Sequence, residues 1–129
     1  PSLLDCLKHN LMATNYYLKR VYEPASESDG FRVLVDGIWP QGESRIKADL
    51  DLWDKSLAPS AALRSWFHAD RIGRWEQFRE KYLSELSANP NAAEFAREMA
   101  SKPTVTLLYA SRDESRNNAA ILREYLQKH

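Results

Sequence analysis

The chain has one cysteine, four glycines, three histidines and no net charge, and each shortage removes a class of protein. Cys6 alone forms no internal disulfide, which excludes a disulfide-stapled scaffold. His9, His68 and His129 lie far apart with no ligand spacing among them, so no zinc site built from cysteine and histidine, and no bound metal, is expected. The 18 basic and 18 acidic side chains balance. No global field therefore indicates a nucleic-acid or anionic-membrane partner, although a local basic patch is compatible with that balance. No apolar stretch approaches the roughly 20 residues of a membrane span, and the N-terminus shows neither the basic start nor the apolar stretch of a signal peptide. These features lead us to expect a cytoplasmic protein with no membrane partner. There is also no glycine-rich phosphate loop with its lysine and no nucleophile paired with a base. The sequence names no cofactor and leaves the oligomeric state open.

What the chain does contain is enough for one core. At 129 residues and 43% hydrophobic content it suits a single domain. Residues 1–11, PSLLDCLKHNL, precede Met12 and read as an N-terminal extension, which leaves 12–129 as the domain. YYLKRVY (16–22) and FRVLVD (31–36) have the aromatic and branched content of strands, and the turn-like ASESDG separates them. A link so short allows either a hairpin or two strands lying apart in one sheet. LWDKSLAPS carries Leu52, Trp53 and Leu57 at helical spacing, and Ser60 caps a helix through Phe67. From Arg71 to Ser87, Trp75, Phe78, Tyr82 and Leu86 recur every three or four residues, which predicts a long amphipathic helix. Asn89-Pro90 opens another helix, closed by Lys102-Pro103. TVTLLYA (104–110) is apolar on both faces, as a central strand covered on both sides must be, and AAILREYLQKH returns as a helix. The expected fold is α/β: a single compact domain with a small, mainly parallel sheet flanked by helices.

Two loops then draw attention. In VDGIWPQG (35–42) an apolar strand ends in an acid, a glycine, a tryptophan, a proline and a second glycine. SRDESRNN (111–118) joins the central strand to the last helix, the place where open α/β sheets bind ligands. If the two strands are neighbours, Asp36 and Asp113 share one crevice, as a general base or as a pair holding a divalent ion through water. These two are the candidate catalytic residues. The candidate ligand-binding residues are Arg32, Trp39, Gln41, Arg45, Arg112 and Asn117. The plainer alternative makes Asp36 a turn residue, Asp113 a cap and Trp39 a staple between loop and core. His68 reads as the exposed end of a helix.

The series KRVY (19–22), DGFRVLVDGIWPQG (29–42), LAPSAALRSWF (57–67), RWEQF (74–78) and TLLYASRDESRNNAAIL (106–122) resembles the YeaO-like family of small bacterial proteins, domain of unknown function 488. The resemblance runs from about Tyr17 to Gln127 and implies a compact α/β domain without supplying an activity. Members read VDRLWPRG where this chain has Gly37 and Gln41, so two cations of the resembled loop are missing here. Two functions stay open: a small enzyme or former enzyme acting on an anionic metabolite or nucleotide at the strand ends, and a non-catalytic module that binds a nucleotide, nucleic acid or protein through the same surface.

Overall fold

The computed structural model describes residues 13–129, and the extension assigned to residues 1–11 lies outside them. TVTLLYA sits at the centre of the molecule. Four strands, β1 (Asn15–Arg20), β2 (Phe31–Leu34), β3 (Leu52–Trp53) and β4 (Thr104–Tyr109), form a sheet in the order β1-β4-β2-β3. All three pairings are parallel, with Leu18 opposite Leu107, Val33 opposite Leu107 and Leu34 opposite Trp53. The chain from β1 to β2 is therefore no hairpin. It crosses over β4 through a 3-10 turn, Glu27–Asp29, and enters β2 at Gly30. Gly30 has φ +65°, and a Cβ there would lie 2.4 Å from the Thr104 carbonyl oxygen, so only glycine lets the crossover pass this close to β4.

Alternation along the strands separates two cores. Tyr16, Val33, Val35, Val105, Leu107 and Tyr109 face the four longer helices: α2 (Ala61–His68), α3 (Trp75–Ala88), α4 (Pro90–Met99) and α5 (Asn118–Gln127). Leu34 and Leu108 face the other way and meet Val21 and Ala48 under the crossover and the one-turn helix α1 (Arg45–Ala48). This second face also holds a buried ion cluster. Asp29 accepts from Lys19 Nζ at 3.1 Å and from Arg32 Nη1 at 2.6 Å, while Thr106 Oγ1 donates to the Asp29 carbonyl at 2.7 Å. Arg32 Nε and Nη2 donate to the Asp49 and Ala48 carbonyls. It therefore fastens the crossover to the segment that carries α1, on the face opposite α2–α5. Burial pushes the Asp29 carboxyl up, but the Ser26 amide, Lys19 and Arg32 more than reverse this and hold it below the usual carboxylate range.

Two segments depart from the periodicity reading. Leu52 and Trp53 are at helical spacing with Leu57, yet they pair with Val33 and Leu34 as an edge strand, and Asp54 caps a short 3-10 turn, Lys55–Leu57. The long helix begins at Trp75 instead of Arg71. Asp70 Oδ1 accepts from the Gly73 amide at 3.0 Å, and this side-chain turn takes the place of the first helical turn. Residues 13–129 form a single compact α/β domain. Among them no helix is long and apolar enough to cross a membrane.

Phe78 holds α2 and α3 together. It is 2% exposed and stacks on Phe67 with ring centroids 4.1 Å apart. Phe78→Ala is expected to cost about 3 kcal/mol or more through lost burial and the cavity left behind, read as a lower denaturant midpoint at unchanged slope. A loss below about 1 kcal/mol would mean that this aromatic contact does not organise the core.

Candidate functional site

The C-terminal edge of the sheet is where the backbone ladder runs out. Val35 still donates to Leu108 O at 3.1 Å, and the next ladder position is filled by a side chain: Asp36 Oδ2 accepts from the Ala110 amide at 2.9 Å. Its other oxygen, Oδ1, accepts from Asn118 Nδ2 at 3.0 Å. One carboxylate thus joins the ends of β2 and β4 to the first turn of α5. Burial pushes the Asp36 carboxyl up, and the Ala110 and Asn118 hydrogen bonds with the nearby Arg64 charge only partly offset it.

This edge opens into a cleft of about 590 Å³, inside the range of roughly 300–1,000 Å³ usual for small-molecule sites. Of the residues singled out from sequence, Asp36, Trp39, Gln41, Arg112 and Asn117 line it together. Asp113 does not. Its Oδ1 accepts from the Ser115 and Arg116 amides, both at 2.9 Å, and these bonds hold its exposed carboxyl below the usual range. Asn117 is buried and caps α5 by accepting from the Ala120 amide at 2.9 Å, while its Nδ2 donates to Asp113 O. Arg32 lies on the opposite face in the Asp29 cluster, and Arg45 stacks on Trp39 with its guanidinium carbon 4.7 Å from the ring centroid.

Trp39 both lines the cleft and fastens its loop. Its Nε1 donates to Glu43 O at 2.9 Å, and its ring meets Trp53 edge-on at 5.2 Å. Trp53 Nε1 in turn donates to Asp36 O at 2.7 Å. Tyr22 reaches across from the end of β1 and donates to Gln41 O at 2.7 Å. Arg20 secures the facing loop by donating to the Ser111 and Ala110 carbonyls. The walls of the cleft are therefore tied down from both sides.

Sequence reasoning missed the charge of this cleft. Arg64, Arg71 and Arg116 line it beside Arg112, and among the described residues none of these four guanidiniums forms an ion pair. Arg64, His68 and Arg71 follow at spacings of four and three, a helical stripe beside the buried Leu63 and Phe67, which was the available signal. His68 lines the cleft too. Burial and the Arg71 and Arg64 charges hold its imidazole below the usual value, so it is neutral at pH 7. Gly37 bears on the same charge. A Cβ there would stand 3.1 Å from Arg64 Nη1, so the missing side chain leaves room for a guanidinium that arrives from α2 instead. Among the described residues, no three His, Cys, Asp or Glu side chains cluster as a metal site requires.

Asp36→Asn keeps one acceptor where two part-buried donors, Ala110 N–H and Asn118 Nδ2, need one each. The stranded donor is expected to lower stability at pH 7 by about 1–2 kcal/mol, outweighing the relief of a buried charge. Because the folded carboxyl lies above its ordinary 3.8, the folded parent binds its proton more readily than the unfolded chain does. The parent therefore gains stability as pH falls through the folded value, and the gap to the variant widens until pH drops below 3.8. Chemical denaturation of both proteins from pH 7 to pH 3 checks this; a variant as stable as the parent at pH 7 would show that the bridge contributes nothing.

Comparison with known proteins gives the same picture at the level of family. The chain matches the inactive DUF488-N3 subclade over residues 15–129. It is 40% identical over 113 residues to the uncharacterized protein YeaO of Escherichia coli K12, a match covering 88% of this chain and 97% of that protein. It is 37% identical over 113 residues to the uncharacterized protein Rv3073c of Mycobacterium tuberculosis H37Rv and, over the same length, to Mb3100c of Mycobacterium bovis; each match covers 88% of this chain and 94% of the relative. No solved structure matches it. A four-stranded parallel sheet, a shaped Asp36–Gly42 loop and these relatives together place the chain in the YeaO-like DUF488 family, within its inactive DUF488-N3 subclade.

Proposed function

We propose that this chain is a non-catalytic binding protein for a small phosphorylated anion, held in the cleft at the C-terminal edge of the sheet. The observation that carries the reading is the convergence of Arg64, Arg71, Arg112 and Arg116 on one cleft, none of them in an ion pair among the described residues, in a protein of zero net charge. Guanidinium is the side chain best matched to phosphate, because its planar fork offers two parallel donors. Cations left unpaired against one another raise the local potential, and a bound dianion lowers it. A small anion suits this better than a nucleic acid, since the balanced charge of the whole chain provides no long-range attraction for a polymer.

The absence of chemistry in this reading rests on two supports. Acid–base catalysis by a carboxylate pair requires two carboxylates in reach of one substrate, and Asp113 lies outside the lining while committed to backbone amides. The subclade that the chain matches is itself described as inactive. A cytoplasmic location belongs to the same proposal, since the lone Cys6 suits a reducing compartment and charged metabolites are held there.

Thermal unfolding at low ionic strength with increasing inorganic phosphate tests the proposal. Phosphate at 100 times its Kd is expected to stabilise the fold by about 2.7 kcal/mol. Arg112→Gln with Arg116→Gln, both at exposed positions, should fold normally and lose most of that response. Added salt should weaken the response in the parent. No stabilisation of the parent, or equal stabilisation of parent and variant, would contradict the reading.

A further inference from the structure

Three chemistries meet in the cleft, and a simple anion satisfies only one of them. The arginines require negative charge. Asp36 requires the opposite: its two oxygens already accept from Ala110 N–H and Asn118 Nδ2. A carboxylate has about four lone-pair directions, so about two remain for donors in the cleft. A ligand that is anionic throughout, such as diphosphate or a polycarboxylate, would be repelled there. On the side formed by the strand ends, Tyr22, Ile38 and Trp39 add apolar surface, with Ile38 62% and Tyr22 39% exposed and one face of the Tyr22 and Trp39 rings covered by Arg20 and Arg45. A small sugar phosphate has nothing to cover them.

We infer that the ligand of this cleft is a nucleoside phosphate. Its phosphate is held by Arg64 of α2, Arg71 of the turn after it and the arginines of the β4–α5 loop, its base lies against Tyr22 and Trp39, and Asp36 accepts from N–H groups of the base or from ribose hydroxyls. This rests on the reading of the cleft as an anion site and adds the class of molecule attached to the anion. Stacking of a base on an aromatic ring is tolerant of base identity, whereas hydrogen bonds to a carboxylate select groups that donate. The base therefore sets affinity through Tyr22 and Trp39, and discrimination among bases or sugars falls to Asp36. Tyr22 is suited to the first role because its hydroxyl is already fixed on Gln41 O, which fixes the ring at the mouth of the cleft.

Isothermal titration of the full chain with AMP, GMP, CMP, UMP, ribose 5-phosphate, inorganic phosphate, adenosine and guanosine separates the two levels of the argument. At least one nucleoside monophosphate is expected to bind 10-fold or more tightly than ribose 5-phosphate, a difference that is about 1.4 kcal/mol. Tyr22→Leu should remove most of that advantage while leaving affinity for ribose 5-phosphate and phosphate within about twofold. Arg112→Gln with Arg116→Gln should weaken every phosphorylated probe. Asp36→Asn is informative if it folds, by reducing affinity for nucleotide more than for phosphate; the Tyr22→Leu result stands without it. Ribose 5-phosphate binding as tightly as all four nucleotides overturns the nucleoside assignment and leaves the anion site intact. Failure of every phosphorylated probe to bind overturns both.

Discussion

At the open edge of the sheet the β2–β4 ladder ends with Val35, and the Asp36 carboxylate extends it by one more bond, to the Ala110 amide, before turning its second oxygen to Asn118 on α5. This contact depends on β2 and β4 being parallel neighbours in register. It also fixes what surrounds the cleft. The Asp36 carbonyl receives Trp53 Nε1, Trp53 supports Trp39, and Trp39 holds the loop through Glu43. The residue whose carboxylate closes the ladder thus also receives, on its main-chain carbonyl, the contact from which the loop wall is hung. The two hydrogen bonds that the Asp36 carboxylate accepts hold an ionisable group at a position where burial disfavours its charge.

The other face of the sheet uses charge differently. Asp29, Lys19 and Arg32 are brought together under the crossover, and each nitrogen of the two cations donates to a carboxylate or a backbone carbonyl. A crossover with only one 3-10 turn has few hydrogen bonds of its own, so a buried ion cluster supplies what a helix would otherwise provide. In the cleft, among the described residues, the arginines form no ion pair. The proposed anion site rests on this contrast between paired cations on one face and cations without an ion pair at the edge. The chain also matches a subclade described as inactive.

Much of this was written in periodicity. β4 was legible because a short apolar run with branched and aromatic residues, bounded by Pro103 and the polar SRDESRNN, suits a strand covered on both faces, and α3 because Phe78, Tyr82 and Leu86 recur on one side. β3 was not legible, since two residues hold no period and Leu57 imitated a helical repeat. Arg32 was misleading as a ligand candidate for a related reason: alternation says which face a side chain takes, but only the path of the crossover decides whether that face is open. At the site, the loop that shapes the cleft could be read from its turn residues, whereas Arg64, Arg71 and Arg116 could not be joined to it from sequence. They come from α2, the turn after it and the far end of the β4–α5 loop, and nothing local states that these meet Asp36.

The central claim is that these guanidiniums form one anion site. It is tested most directly by following arginine side-chain Nε–Hε signals in the nuclear magnetic resonance spectrum during a titration with inorganic phosphate. Signals of Arg64, Arg71, Arg112 and Arg116 should move together along one binding curve, while those of Arg32, buried with Asp29, and Arg79, paired with Glu124, stay in place. Movement spread evenly over exposed arginines without saturation, or none at the four cleft positions, would contradict the account.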